Sequence, residues 1–247
     1  MSTDPTLRFT DRVGSYALYR PSYPAGIVTL LRQDCGLNAE SRIADIGCGT
    51  GLLAELFLKA GCEVMGVEPN AGMRESGIRQ LAAYPRFHAM DGRAEATGLQ
   101  AASVDFVTAG QAFHWFDSAA ARNEILRILK PAGHLVLVWN ERAEGPGFQA
   151  AYDAIVRRYA PEINRIRTKD IDTVFGGPVW REVSFENRQV LDLAGLQGRL
   201  ASSSYAPAAG SPGYQEMLDS LAGLFSDHQR EGLVTLLYDT KVYLGRP

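Results

Sequence analysis

Short apolar runs alternate along this chain with stretches whose apolar residues recur at helical spacing. Residues 42–46 (RIADI), 62–68, 86–90, 104–109 and 134–140 (HLVLVWN) each predict a strand. Between them the pattern predicts a helix over 52–60 stopped by Gly61, another from a cap at Asn70 through 81, and a third over 118–129. Asp117 caps that third helix, and Pro131 and Gly133 end it. Ahead of the first strand, Ile27, Leu30 and Leu31 suit an amphipathic helix over 24–35, and a short helix over 11–19 precedes Pro21 and Pro24. Strands separated by helices in this way predict an α/β chain with a doubly wound, mostly parallel sheet.

Past Asn140 the rhythm changes. A helix over 147–160 is followed by a polar segment to about 180 carrying Arg157, Arg158, Arg165, Arg167 and Lys169, more simply read as a solvated face than as an anion site. Residues 182–191 and 234–244 read as two further strands, which brings the sheet to seven, and 212–231 as a helix. No internal repeat or linker divides the chain, so one domain over 1–247 is expected.

Composition narrows the class. With 46% hydrophobic residues the chain can bury a core without disulfide or metal staples. A net charge of −3 gives no footprint for nucleic acid or an anionic membrane, so a small-molecule partner is expected. The three cysteines form no C-x-x-C pair and the four histidines are scattered, which predicts neither disulfides nor a metal site. The start lacks the order of a signal peptide and no apolar run approaches ~18 residues, so a soluble, cytoplasmic protein is expected.

The candidate chemistry sits in IADIGCGTGLLAEL, residues 43–56. A phosphate-binding loop needs a lysine after its last glycine, and Leu52 follows Gly51. A dinucleotide fingerprint needs glycines at 47, 49 and 52, and its pyrophosphate would meet the carboxylate of Asp45. A ligand with an ammonium and a sulfonium would instead welcome that charge. The stretch DIGCGTG, then GVEPNAGM, GRAEATGLQAASVDFV, QAFHWFD and the opening YRPSYP, together resemble the class I S-adenosylmethionine-dependent methyltransferases over about residues 8–140. The last two stretches are similar to a type 11 subgroup that includes trans-aconitate methyltransferase-like proteins.

The resemblance implies a Rossmann-like methyltransferase fold with S-adenosylmethionine as cofactor and S-adenosylhomocysteine as product. It implies an N-terminal lid over 1–35, a cofactor-binding core over 36–140, a substrate-covering insertion over 141–180, and 181–247 completing the sheet. Gly47, Cys48, Gly49 and Gly51 would let backbone approach the methionine half beside Asp45. Glu68, 23 residues beyond Asp45, would accept from the ribose hydroxyls. Pro69 and Met73 would pack on adenine, and Ala94 would meet its edge, with Glu95 nearby and Arg93 where many relatives carry an acid. Gln111 would face the methionine end, over which Tyr19 and Arg20 close.

For the acceptor the candidates are Tyr16, Phe113, His114, Trp115, Trp139 and Arg142, with His114 as the catalytic base if one is needed. The aromatics read equally as core and His114 as a structural histidine. The expected reaction is methylation of a small molecule at a carboxylate or hydroxyl oxygen by in-line displacement. Nitrogen or sulfur acceptors, non-catalytic cofactor binding and a nicotinamide-dependent oxidoreductase stand as alternatives.

Overall fold

A strand covered by helices on both sides needs apolar residues on both faces. Among the strands that meet that condition are β1 (Arg42–Ile46), β2 (Glu63–Val67) and β4 (Val104–Gly110), with Ile43, Ala44, Val64, Met65, Phe106 and Val107 all buried. The computed structural model describes residues 19–159, 168–203 and 205–247. There these strands join β3 (Phe87–Met90), β5 (Leu129–Arg142), β6 (Trp180–Leu191) and β7 (Val234–Gly245) in a seven-stranded sheet of order β3-β2-β1-β4-β5-β7-β6. The first five run parallel, and β7 is antiparallel to both β5 and β6. Strand order reverses between β1 and β4, where a doubly wound sheet opens a crevice at its carboxyl edge.

The early helices, α1 (Gly26–Cys35), α2 (Leu52–Lys59), α3 (Ala71–Gln80) and α4 (Ser118–Ile128), lie within two residues of their expected places. Their caps are real: Asn70 Oδ1 accepts from Met73 N at 2.9 Å, and Asp117 Oδ1 accepts from Ala119 N and Ala120 N, both at 3.1 Å. Pro131 and Gly133 do not end α4, however. β5 already begins at Leu129, opposite Val104, and the next pair is Phe106 with His134. Pro131, which has no N–H to give a ladder, sits in the resulting bulge.

The second half departs further. After α5 (Phe148–Tyr159), the segment read as polar contains α6 (Thr168–Phe175), which buries Ile171, Val174 and Phe175. A helix not anticipated, α7 (Leu193–Ala201), starts where Asp192 Oδ1 accepts from Gly195 N at 2.7 Å. The last helix, α8 (Tyr214–His228), is shorter than 212–231 at both ends. The short helix expected over 11–19 lies almost wholly outside the described residues.

Three cores result. One covers the face with Leu137, Trp139, Ile125 and α6; the opposite one gathers Ile27, Phe57, Val138 and Val242. The third lies beyond the sheet's carboxyl edge. β5 ends at Arg142, opposite Tyr238, so β7 residues 234–237 pair with β6 alone. That overhanging ribbon packs with α5, α7 and α8 through Tyr152, Leu196, Met217 and Tyr238. The stretch 141–180 is thus divided, α5 joining the overhang and α6 the face of the sheet.

Candidate active site

The loop after β1 is strapped to the end of β2. Gly47 N and Cys48 N both donate to Val67 O, at 2.8 and 3.1 Å, and Gly51 N donates to Cys48 O at 2.9 Å. Gly47 has φ 68°, and a Cβ there would stand 2.5 Å from the Cβ of Ala112, so only glycine fits both the backbone and the space. Across the loop, the Glu68 carboxylate accepts from Gly49 N through Oε2 and from Asn70 N through Oε1, each at 2.9 Å. Each oxygen keeps acceptor capacity for a further donor. Gly47, Gly49, Glu68 and, through the Asn70 cap, the start of α3 are therefore brought together, with Met73 buried and Pro69 half-buried.

Asp45 lies under this loop, 1% exposed. Thr108 Oγ1 donates to its Oδ1 at 2.8 Å, while Oδ2 is buried without a hydrogen-bond partner among the described residues. Burial pushes the carboxyl up to about 7, against the Thr108 hydroxyl, the Cys48 thiol and the Ala54 backbone, which pull it back. Burial also raises Glu68, against the amides of Asn70 and Gly49. Two carboxyls held this way, one with an orphaned oxygen, form a site that gains from an incoming cation.

On the β3 side, Arg93 and Ala96 form a small bridge, with Arg93 exposed and Ala94 buried between them. Glu95 Oε1 accepts from Asp117 N at 3.0 Å, tying this loop to the start of α4. Glu124, absent from the sequence-derived site, anchors the same loop: its Oε1 accepts from Thr97 N at 2.8 Å and Thr97 Oγ1 at 2.5 Å. Arg127, Thr97 and their hydrogen bonds hold the Glu124 carboxyl down at about 2. Glu124 and Arg127 stand at i, i+3 on one helix, a signal the sequence offers.

At the end of β4, Gln111 takes φ 56°, unusual for a residue with a side chain. Gln111 N donates to Val138 O at 3.0 Å and Nε2 to Asn140 O at 3.2 Å; Oε1 is buried with no partner among the described residues. Next to it, Phe113–Trp115 forms a single 3-10 turn. His114 sits between two indoles, 4.6 Å from Trp115 and 5.2 Å from Trp139 by ring centroids, and its Nδ1 is buried without a partner among the described residues. Burial, then the charge of Arg20, lowers His114 to about 4, so it is neutral at pH 7. Phe113 corrects the expectation of a substrate contact: at 1% exposed it packs edge-on against Phe116 in the core and has no surface to offer. Trp139, 6% exposed, is mainly core and presents its edge to His114.

The segment before α1 closes this edge. Gln189 Nε2 donates to Tyr19 O at 3.0 Å, and Arg20 Nη2 donates to Ser202 O at 3.2 Å. Asn140 joins four pieces of chain: Oδ1 accepts from Thr240 Oγ1 at 2.5 Å and Asn187 Nδ2 at 3.2 Å, while Nδ2 donates to Ser22 O at 3.3 Å. Arg142 corrects a second expectation. Its Nε pairs with Asp153 Oδ1 at 2.5 Å, so its charge is already answered from α5. Arg157 and Arg158 are exposed, and Tyr16, Arg165 and Arg167 lie outside the described residues. A different cation, Arg199 on α7, is 5% exposed beneath this segment and was not singled out from sequence, where it reads as one more helix arginine. Among the described residues no three His, Cys, Asp or Glu side chains gather as a metal site, and no helix is long and apolar enough to cross a membrane.

A family model described as a methyltransferase domain matches residues 44–137. A malonyl-acyl-carrier-protein O-methyltransferase from Enterobacter lignolyticus is 30% identical over 199 residues, 78% of this chain and 67% of that protein. An uncharacterised methyltransferase from Mycobacterium tuberculosis is 39% identical over 155 residues, 63% of this chain; the match spans only 61% of that relative's length. A solved structure of a candidate type II methyltransferase from Anaeromyxobacter dehalogenans superposes with a TM-score of 0.70 at 23% identity, covering 92% of this chain and 98% of that one, a likeness of fold.

Proposed function

The chain belongs to the class I S-adenosylmethionine-dependent methyltransferases, and on that premise we propose that it methylates a small molecule at oxygen, with a carboxylate as the acceptor group. The observation that carries the cofactor half is the buried Asp45 carboxyl with its orphaned Oδ2, set beside Glu68 across a glycine loop. The residues fit S-adenosylmethionine: Asp45 faces a cationic group, Glu68 takes the ribose hydroxyls on its remaining lone pairs, and Gly47, Cys48, Gly49 and Gly51 admit the ligand to the backbone. Pro69, Met73, Arg93, Ala94 and Glu95 border the adenine side, and Tyr19, Arg20 and Gln111 close the methionine end. When bound, S-adenosylmethionine supplies a methyl carbon made electrophilic by its sulfonium.

The chain's own work is to position the acceptor and exclude water. Trp115 and Trp139 wall the edge where His114 lies, and the segment before α1, strapped to Asn140 and Gln189, keeps it covered. A histidine held near 4 is a poor proton acceptor for an alcohol at neutral pH, which favours an acceptor that is already ionised. His114 then orients the acceptor oxygen by hydrogen bonding through its open Nδ1. The Enterobacter relative, an O-methyltransferase by name, supports an oxygen acceptor, and the QAFHWFD and YRPSYP stretches support a place near the trans-aconitate methyltransferase-like subgroup. Calorimetry with S-adenosylmethionine and NADH, followed by labelled-methyl transfer to a panel of carboxylates, alcohols, amines and thiols, tests the reading. Binding of the first cofactor with label in an ester is expected; NADH binding, or label only in amines or thiols, overturns it.

A further inference from the structure

A buried guanidinium normally finds a carboxylate, because removing a charge from water is costly unless something answers it. Arg142 follows that rule with Asp153; Arg199 does not. Among the described residues the only hydrogen bond of the Arg199 side chain runs from Nε to the Tyr238 hydroxyl, 3.0 Å away, and no acidic side chain pairs with it. Its guanidinium carbon stands 5.8 Å from the Tyr238 ring centroid, so a phenol softens the charge without cancelling it. Among the described residues neither Nη group has a hydrogen-bond acceptor. Tyr238 is itself fixed, donating to Gln189 Oε1 at 3.2 Å.

The position of Arg199 ties it to the site. It lies one helical turn before Ser202, whose carbonyl holds Arg20, and Arg20 is close enough to depress His114. Both cations act on Tyr205. Burial alone would raise that phenol, yet Arg199 and then Arg20, with Ser203 and Arg142, hold it below its ordinary value. Two cations, Arg199 of α7 and Arg20 of the segment before α1, therefore act on Tyr205 from one side of the site, while the loop after β1 is lined by the acids Asp45 and Glu68. A ligand spanning both is cationic at one end and anionic at the other.

We propose that Arg199, with Arg20 beside it, is an anion subsite that receives a carboxylate or phosphate group of the methyl acceptor, remote from the group that is methylated. That the anion belongs to the acceptor rests on the function proposed above; that an oxyanion binds at Arg199 does not. The two free Nη groups give the forked donor pair that a carboxylate or phosphate oxygen edge matches.

The test uses the full chain, titrated calorimetrically with glutarate, inorganic phosphate and the uncharged glutaramide, with and without S-adenosylhomocysteine. Saturable binding of glutarate or phosphate at one site is expected, and none of glutaramide; whichever anion binds tighter identifies the source. Bound anion should also move the Tyr205 phenolate absorbance near ~295 nm to higher pH, because the positive potential that stabilises phenolate is answered. R199K, which keeps the charge and loses the fork, should bind about 10-fold more weakly with an unchanged melting temperature. R199M should abolish binding, and if it fails to fold, R199K decides. Anion binding of R199K equal to the parent, or no saturable anion binding by the parent, overturns the subsite. Adenosylhomocysteine binding without anion binding sinks only this inference; the converse sinks the methyltransferase reading and leaves the subsite standing.

Discussion

His114 and Asp45 are displaced in opposite directions by the same cause, loss of water, and their consequences with pH differ in sign. His114 titrates at about 4 in the folded chain and at about 6.5 unfolded. Between those values the unfolded chain binds more protons, so stability rises with pH through the window and is lost on acidification, by up to about 3 kcal/mol. Urea unfolding from pH 7 to 4.5 should show this slope, and H114Q should flatten it. Asp45, raised to about 7, binds its proton in the folded state over a range where the unfolded carboxyl has already lost it. Its contribution to stability is full below about 4 and fades as pH rises through 7. A cationic ligand reverses the preference by favouring the charged carboxylate. Affinity for S-adenosylmethionine should therefore rise between about pH 6 and 8, with proton release visible as a buffer-dependent heat, and D45N should remove both effects.

At the scale of elements, the site depends on joints between strands and loops. Asn140 fastens β5 to β6, β7 and the segment at Ser22 through one buried amide. N140A leaves the Thr240 hydroxyl and the Ser22 carbonyl without it, and about 2–3 kcal/mol should be lost in chemical denaturation. Hydrogen exchange in residues 19–24 should rise as well. The loop after β1 is a second joint. G47A forces an L side chain into φ 68° and against Ala112, so it should cost about 1–2 kcal/mol and weaken cofactor binding more than tenfold. Retained affinity in G47A would show that the loop moves away from this arrangement when it binds.

Over the whole molecule, the two cores flanking the sheet and the third core under the overhang are joined mainly through the β6–β7 ribbon. Hydrogen exchange should find α5, α7 and α8 opening at lower free energy than β1 and β4, which are covered on both faces. Adenosylhomocysteine should protect the 47–51 loop, and a dicarboxylate should protect α7. The two halves of the site thus belong to different cores, and an acceptor bridging them would couple their motions.

The strands and helices of residues 42–128 were legible because they are governed by local rules: apolar strands, a capping Asn70 and Asp117, and glycines at a tight turn. Seven strands and their parallel core follow from that periodicity, and the acids at 45 and 68 follow from their places at strand ends. Other features depend on which distant residue lies alongside. Pro131 reads as a helix stop until the pairing of Val104 with Leu129 makes it a bulge. Phe113 and Arg142 read as ligand contacts until the core and Asp153 claim them. Arg199 reads as a surface helix residue until the overhang buries it with no acidic partner among the described residues. Periodicity and capping are encoded within a few residues, whereas burial and charge pairing are settled by contacts between segments far apart in the chain.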